Sequence, residues 1–320
     1  MTVRILLTGA TGFLGRALLK ELLYREHEVT AAVRHASPVV KGLRSYPIVD
    51  IGGTTDWLPA LQGIEVVVHA AARVHVVRER HPDPLAEYRH VNVDGTLRLA
   101  RQAVASGVRR FVFISSIKVN GESTLLGKPF LAGDVPAPED PYGVSKLEAE
   151  QGLMRLADEA GMELVIIRPP LVYGPGVKAN FLSMMRWLHK GVPLPFGAIH
   201  NRRSLVALDN LVDLIVTCIE HHAAANQAFL VSDGEDLSTS ELLRRMGAVL
   251  GRPARLLPVP SWLLQAGAAA LGKQALSQRL CGSLQVDIGK TRELLGWTPP
   301  LSIDEALRKT AKHFLEQQSK

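Results

Sequence analysis

Only two cysteines, Cys218 and Cys281, stand in 320 residues, far apart and outside any CxxC or Cys/His ligand spacing. That scarcity counts against a disulfide framework and a thiolate metal site, so no metal is expected, and it points to a reducing compartment. Long apolar runs are missing too. The most membrane-like stretch, 262–271, is about ten residues, whereas a spanning helix needs roughly 20. No block of five or more Lys and Arg occurs; the net charge of +6 is scattered along the chain. Scattered positive charge speaks against nucleic acid and suits a substrate that carries phosphates. The opening MTVRILLTGATG runs straight into a strand and a glycine-rich turn without signal-peptide architecture, so a cytoplasmic protein with no membrane span is expected. Repeats and low-complexity segments are absent.

What is present is a regular alternation of strand and helix. Apolar, β-rich runs at Val3–Thr8, Glu28–Val33, Val66–Ala70, Phe111–Ser115 and Leu164–Arg168 alternate with helical patterns at Leu14–Tyr24, Tyr88–Ser106 and Gly143–Ala160. Runs that are apolar throughout suit parallel strands buried on both faces, and their alternation with helices predicts an α/β, doubly wound parallel sheet. After Pro169 the texture changes: Pro and Gly cluster at 169–176 and 191–197, followed by short helices and one strand at Phe229–Ser232. The expected division is a dinucleotide-binding Rossmann domain over 1–173, with 204–233 returning to it, and a smaller C-terminal substrate-binding lobe over 174–203 and 234–320.

Residues 8–15 read Thr-Gly-Ala-Thr-Gly-Phe-Leu-Gly. Gly9 permits a tight turn, Gly12 lets backbone approach a pyrophosphate, and Gly15 allows close helix–strand packing. With Thr11, Phe13 and Leu14 they present a helix N-terminus whose free N–H groups and dipole favour phosphate. Arg34 ends the second strand where NAD enzymes carry an acidic residue for the ribose hydroxyls. A guanidinium there suits a 2′-phosphate and tilts the reading toward NADP(H), with NAD(H) and a solvent-facing Arg left open.

Tyr142-Gly-Val-Ser-Lys146 places a phenol and an ammonium four residues apart, on one face of a helix. A cation near a phenol lowers its pKa from the usual value near 10 and makes Tyr142 a usable proton donor and acceptor. Ser115 and Ser116 stand at the end of a parallel strand, where active sites of such sheets lie.

TGxxGxxG, this Ser pair and YxxxK together resemble the extended short-chain dehydrogenase/reductase family of NAD-dependent epimerase/dehydratase type. The resemblance covers nearly the whole chain and is densest over 1–176. It implies a catalytic set of Ser116, Tyr142 and Lys146. It also implies cofactor contacts from Asp50 and Ile51 to adenine, from the backbone of Ala70, Ala71 and Ala72, and from Asn92, Ser115 and Pro169. On the substrate side it implies Asn180 and Arg203 against a nucleotide diphosphate, with Arg202 and Arg279 as rivals to Arg203. Lys118 is added as a cation beside the reacting oxygen. The closing Lys290-Thr-Arg-Glu-Leu-Leu-Gly-Trp297 also resembles these enzymes.

Two departures matter. Sugar dehydratases of this branch carry Asp-Glu where this chain has Ile117-Lys118, which cannot do that acid–base work. Asn120 replaces a family Tyr. The leading expectation is an NAD(P)-dependent reductase of a UDP-4-keto-6-deoxy-(N-acetyl)hexose. A UDP-hexose or UDP-N-acetylhexosamine 4-epimerase is the alternative, and a non-catalytic NADP sensor stands further off. A homodimer through about 88–106 and 143–160 is what the resemblance implies.

Overall fold

The computed structural model describes residues 2–34, 43–74, 83–270, 272 and 274–318. The chain enters on β1 (Arg4–Thr8), crosses by α1 (Phe13–Tyr24) to β2 (Glu28–Val33), and continues through β3 (Arg44–Pro47) and the short α2 (Leu58–Leu61). β4 (Val66–His69) opens the second half, followed by α3 (Pro84–Arg89), α4 (Thr96–Ala105), β5 (Arg110–Ile114), α5 (Pro141–Ala160) and β6 (Glu163–Arg168). Then come β7 (Leu171–Tyr173), α6 (Ala179–His189), β8 (Arg203–Ala207), α7 (Leu208–Glu220), β9 (Gln227–Leu230) and β10 (Asp236–Leu237). Five helices close the chain: α8 (Thr239–Val249), α9 (Ser261–Ala270), α10 (Gln274–Cys281), α11 (Gly289–Leu295) and α12 (Ile303–Gln318).

Seven strands form one parallel sheet in the order β3-β2-β1-β4-β5-β6-β9. The doubly wound sheet expected from the sequence is therefore the fold. Alternate side chains of each strand feed separate cores, as a period of two requires. Ile5, Leu7 and Val112 pack with Leu18 of α1 and Leu211 and Ile215 of α7. Leu6, Val67 and Phe113 pack on the other face with Leu99 of α4 and Leu153 of α5. A third cluster joins α6, α8 and α12 through Phe181, Met185, Leu243, Leu307 and Phe314. The strand order reverses between β1 and β4, so a crevice opens outside their carboxyl ends, where such sheets bind dinucleotides.

The structure refines the sequence reading in two places. The helix expected over Tyr88–Ser106 is α3 and α4 joined by a π-helical turn at His90–Gly95. Within 204–233, α7 and β9 lie with the main sheet, while β8 pairs with β7 and β10 in a separate three-stranded sheet. α7 ends against a buried cation. Arg110 is 1% exposed and donates from Nη1 to the carbonyls of Cys218 (2.7 Å), Ile219 (2.9 Å) and His221 (3.0 Å), with Nε on Glu163 (2.6 Å). A helix C-terminus leaves carbonyls without intrahelical partners, and one guanidinium here satisfies three of them. Among the described residues no helix is long and apolar enough to cross a membrane, and no cluster of His, Cys, Asp and Glu suits a metal ion.

Candidate active site

The glycine-rich turn is closed so tightly that side chains are excluded from it. Gly9 takes φ +74°, and a Cβ there would stand 2.8 Å from the carbonyl carbon of Ala70. A Cβ on Gly15 would meet the Gly9 carbonyl oxygen at 2.0 Å. Gly12 donates its N–H to that same oxygen at 2.9 Å. No side chain caps α1, so its first N–H groups, at Phe13 and Leu14, face outward from an uncapped helix start and suit an anion. Thr11 is exposed on the rim. Because backbone meets backbone at Gly15, Gly15→Ala must displace the turn; dinucleotide affinity, read by calorimetry, is expected to fall by more than about tenfold. Unchanged affinity would mean that the turn does not hold the cofactor.

Across the crevice, a buried chain fixes the exit of β4. Thr8 Oγ1 and His69 Nδ1 lie 2.8 Å apart, His69 Nε2 and Thr96 Oγ1 3.0 Å, and Ala71 N donates to Thr8 Oγ1 at 3.2 Å. Desolvation, with nearby Lys146 adding to it, pushes His69 down to about 3. It therefore stays neutral and serves as a strut that holds the backbone of Ala70, Ala71 and Ala72. Asn92, in the π-helical turn, completes the frame: its Oδ1 accepts from Arg73 N (2.8 Å), and its Nδ2 donates to Arg73 O and Ser145 Oγ (both 3.0 Å). Arg34 follows β2 directly and is exposed. Asp50 is exposed and lies three residues beyond the end of β3, while Ile51 packs partly into the core under α4.

The three residues expected to form the catalytic set, Ser116, Tyr142 and Lys146, lie together at the end of β5 and the start of α5. Asp140 caps α5, accepting from Gly143 N at 2.7 Å, and Pro141 takes the first helical position. This start places Tyr142, half-buried, in the first turn and Lys146, buried, one turn on. The Tyr142 hydroxyl is hydrogen-bonded to Ser116. Burial pushes the phenol well above its ordinary value, and the Ser116 bond opposes that rise. Lys146 Nζ donates to Ile114 O at 2.8 Å and lies 4.4 Å from the centre of the Phe113 ring. Desolvation lowers its ammonium to about 7, with Glu150 opposing. The expectation that Lys146 depresses Tyr142 is thus not what the structure shows. The ammonium is turned to Ile114, and the phenol answers to burial and to Ser116.

Beside this pair, Ser115 Oγ is buried without a hydrogen-bond partner. An orphaned hydroxyl at the carboxyl end of β5 calls for a polar ligand group. With the tight backbone turn at Gly9 and Gly15 and the uncapped α1, it makes the crevice fit a dinucleotide. Pro169 is buried nearby, its carbonyl accepting from Ile117 N at 3.0 Å.

On the substrate side, Arg203 begins β8 and donates to Gly282 O at 3.1 Å. Burial lowers its pKa, Glu122 opposes this, and the field of Arg279 adds to it. Arg203 and Arg279 therefore sit close enough to feel each other, an arrangement that suits an anion. Arg202, the rival, is exposed. Asn180 is exposed in the first turn of α6.

Lys118 is placed otherwise than expected. Its Nζ is held by Glu122 Oε1 (2.6 Å) and Asp140 Oδ2 (2.5 Å), and its N–H donates to Ser116 Oγ at 3.3 Å. The charge is thus neutralised by two carboxylates, and the residue braces Ser116 against the cap of the Tyr142 helix. Asn120 also has a partner that the sequence concealed. Its Oδ1 accepts from Arg168 Nη1 at 3.0 Å and its Nδ2 donates to Leu131 O at 3.0 Å. Arg168 pairs in addition with Glu150, through Nε at 3.0 Å and Nη2 at 2.5 Å. A separate cleft of about 950 Å³ opens on the far flank of the turn, bordered by Thr11, Gly12, Lys178, Asp209 and His313 but not by Ser116, Tyr142 or Lys146.

A dinucleotide turn at the switch point and a Ser–Tyr–Lys set at the end of β5 define an oxidoreductase of the doubly wound class. Residues 5–232 match the model of the NAD dependent epimerase/dehydratase family. The chain belongs to that family and is an NAD-dependent enzyme of the short-chain dehydrogenase/reductase type. It is 54% identical to a UDP-glucose 4-epimerase of Vibrio cholerae over 99% of this chain and 97% of that protein. Among solved structures it resembles MoeE5 in complex with UDP-glucose and NAD (TM-score 0.77, 25% identity, 99% of this chain and 100% of that one). It shares its fold with the UDP-glucose 4-epimerase of Thermotoga maritima in complex with UDP-glucose (TM-score 0.78, 22% identity, 99% and 100% covered).

Proposed function

We propose that the chain is a 4-epimerase of a UDP-linked hexose or N-acetylhexosamine, holding NAD as its hydride carrier. The observation that carries this reading is the 54% identity, along almost the whole chain, to a protein named UDP-glucose 4-epimerase. It puts the epimerase ahead of the expected 4-keto reductase. The two reactions use the same Ser, Tyr and Lys, so these residues alone do not separate them.

Bound NAD supplies reversible hydride acceptance at C4 of the sugar. Tyr142, paired with Ser116, takes the C4 hydroxyl proton in the oxidising half and returns it in the reducing half. Ser116 donates to the reacting oxygen and holds it in line with the phenol. The Lys146 ammonium, close to neutrality in its pKa, balances the charge that the phenol gains or loses. Arg203 and Arg279 clamp the diphosphate, which leaves the sugar free to turn its other face. The same proposal places the dinucleotide on the main sheet and the UDP-sugar against the small sheet. It also carries a homodimer through the helices at about 88–106 and 143–160.

The test incubates the enzyme with UDP-hexoses and UDP-N-acetylhexosamines without added cofactor. Interconversion of C4 epimers over many turnovers is expected, with no net change at the reduced-nicotinamide band. In Arg203→Ala, KM for the UDP-sugar should rise about ten- to a hundredfold, since a charge-assisted contact contributes roughly 1.5–3 kcal/mol. Stoichiometric consumption of NADPH with a UDP-4-keto-6-deoxy sugar, and no epimer exchange, would replace the proposal by the reductase. One observation favours that second reading: Arg34 stands at the end of β2 where an NAD-selective site places a carboxylate.

A further inference from the structure

We propose that the segment centred on α9 docks the enzyme onto an anionic lipid surface. Between Glu241 and Asp287, residues 242–286 contain no Asp or Glu and six Lys or Arg, so this stretch alone carries a charge of +6. The whole chain also nets +6, so the remaining residues balance to zero. This one stretch of the substrate side thus carries as much net positive charge as the whole chain.

At the middle of that stretch lies a helix that packs against α10 on one side and keeps its bulkiest apolar residues at the surface. No residue of α9, SWLLQAGAAA, is buried. Trp262 is 67% exposed and Leu263 49%, and Leu257 just upstream is also exposed. The approach to the helix is rigid. Bridges Leu194↔Leu256 and Ala198↔Pro260 tie 256–260 to the loop after α6, and Leu257 exchanges backbone bonds with Leu194 (2.8 Å) and Gly197 (2.9 Å). Arg252 and Arg255 are exposed on that approach, and Arg244 reaches over it to donate to Gly197 O at 3.2 Å. Arg245 is held by Glu235 and Glu241 and adds nothing free.

An unburied apolar helix offers a lipid surface its Trp and Leu side chains, and the exposed arginines that precede it, in a stretch without carboxylates, supply the charge that anionic headgroups attract. Ten residues of helix measure about 15 Å, half a bilayer core, so α9 lies on the surface and does not cross it. Tryptophan favours the headgroup level, and each arginine is drawn to anionic headgroups. The Ala-Gly-Ala-Ala-Ala run offers a protein partner little relief to grip, whereas a fluid lipid surface needs no complementary shape.

The test sediments the full chain with vesicles of phosphatidylcholine, alone or with about one third phosphatidylglycerol. Binding to the anionic vesicles at least about tenfold tighter than to the neutral ones is expected, and it should weaken in high salt. Trp262→Asp/Leu263→Asp should abolish it while turnover of a soluble UDP-sugar in vesicle-free buffer stays unchanged. Arg252→Glu/Arg255→Glu should erase the preference for anionic lipid. No binding to either vesicle, or binding undiminished in the double-Asp variant, overturns the proposal. So does a self-associated state that the double-Asp variant dissolves, because the face would then belong to a second copy. Sedimentation is read without turnover, so its failure is distinct from failure of the epimerase reading.

Discussion

Replacing Tyr142 by Phe will lower kcat by a factor on the order of 10²–10⁴, with dinucleotide affinity unchanged within a few-fold. In the proposed reaction the phenol hydroxyl exchanges a proton with the reacting oxygen, and its neighbours do not stand in for it. The Ser116 hydroxyl is far too weak an acid to do so. His69 is held neutral in a buried chain between Thr8 and Thr96. Phenylalanine fills the same space and keeps the edge contact with Tyr88, whose ring centre lies 6.1 Å away, so the loss falls on the chemical step. Burial raises the pKa of Tyr142, so the neutral phenol dominates at pH 7 and the phenolate fraction grows with pH. The half-reaction in which the phenolate accepts the proton should accelerate as pH rises, and this dependence should vanish in Tyr142→Phe. Rapid-mix kinetics with a UDP-sugar check both points. Retention of more than about a tenth of kcat would take the proton transfer away from Tyr142.

Arg168→Met should cost about 3–5 kcal/mol of stability, the effect expected when one partner of a buried ion pair is removed. The side chains of Arg168 and Glu150 are 6% and 0% exposed, so the substitution strands a carboxylate inside α5 and leaves Asn120 Oδ1 without its donor. The comparison that isolates the cause is the double variant Arg168→Met/Glu150→Leu. Apolar replacement of both partners is often close to neutral, so most of the lost stability should return. Urea unfolding of the three proteins measures it. A single variant as stable as the wild type would show that Glu150 needs no partner.

Much of the site was legible because its signals are local. The glycine turn, the Ser pair and YxxxK each lie within eight residues, and the strand–helix alternation tells which end of the sheet they occupy. What escaped the sequence reading depends on partners that only the fold brings together. Lys118 reads as a free cation until Asp140, 22 residues on, is folded against it. Asn120 reads as a loss until Arg168 arrives from 48 residues away. The π-helical turn at His90–Gly95 hides inside an otherwise helical pattern, since one extra residue per turn barely disturbs an apolar stripe. β7 and β10, of three and two residues, are too short to show any period. The choice between reductase and epimerase was not legible at all, since a single proton-relay geometry serves both.

The Arg110 clamp bears on the order in which a nascent chain can close. Strand β5 emerges from the ribosome with a guanidinium destined for the interior, and Glu163 satisfies one edge of it once β6 follows. The remaining bonds go to carbonyls 108 to 111 residues further on. Until translation passes His221, the half-made sheet keeps a partly unsatisfied charge on its α7 side, together with the apolar surface that α7 will cover. Such an intermediate is exposed to aggregation. The sheet is therefore completed late in synthesis, by a helix that belongs to the second half of the chain.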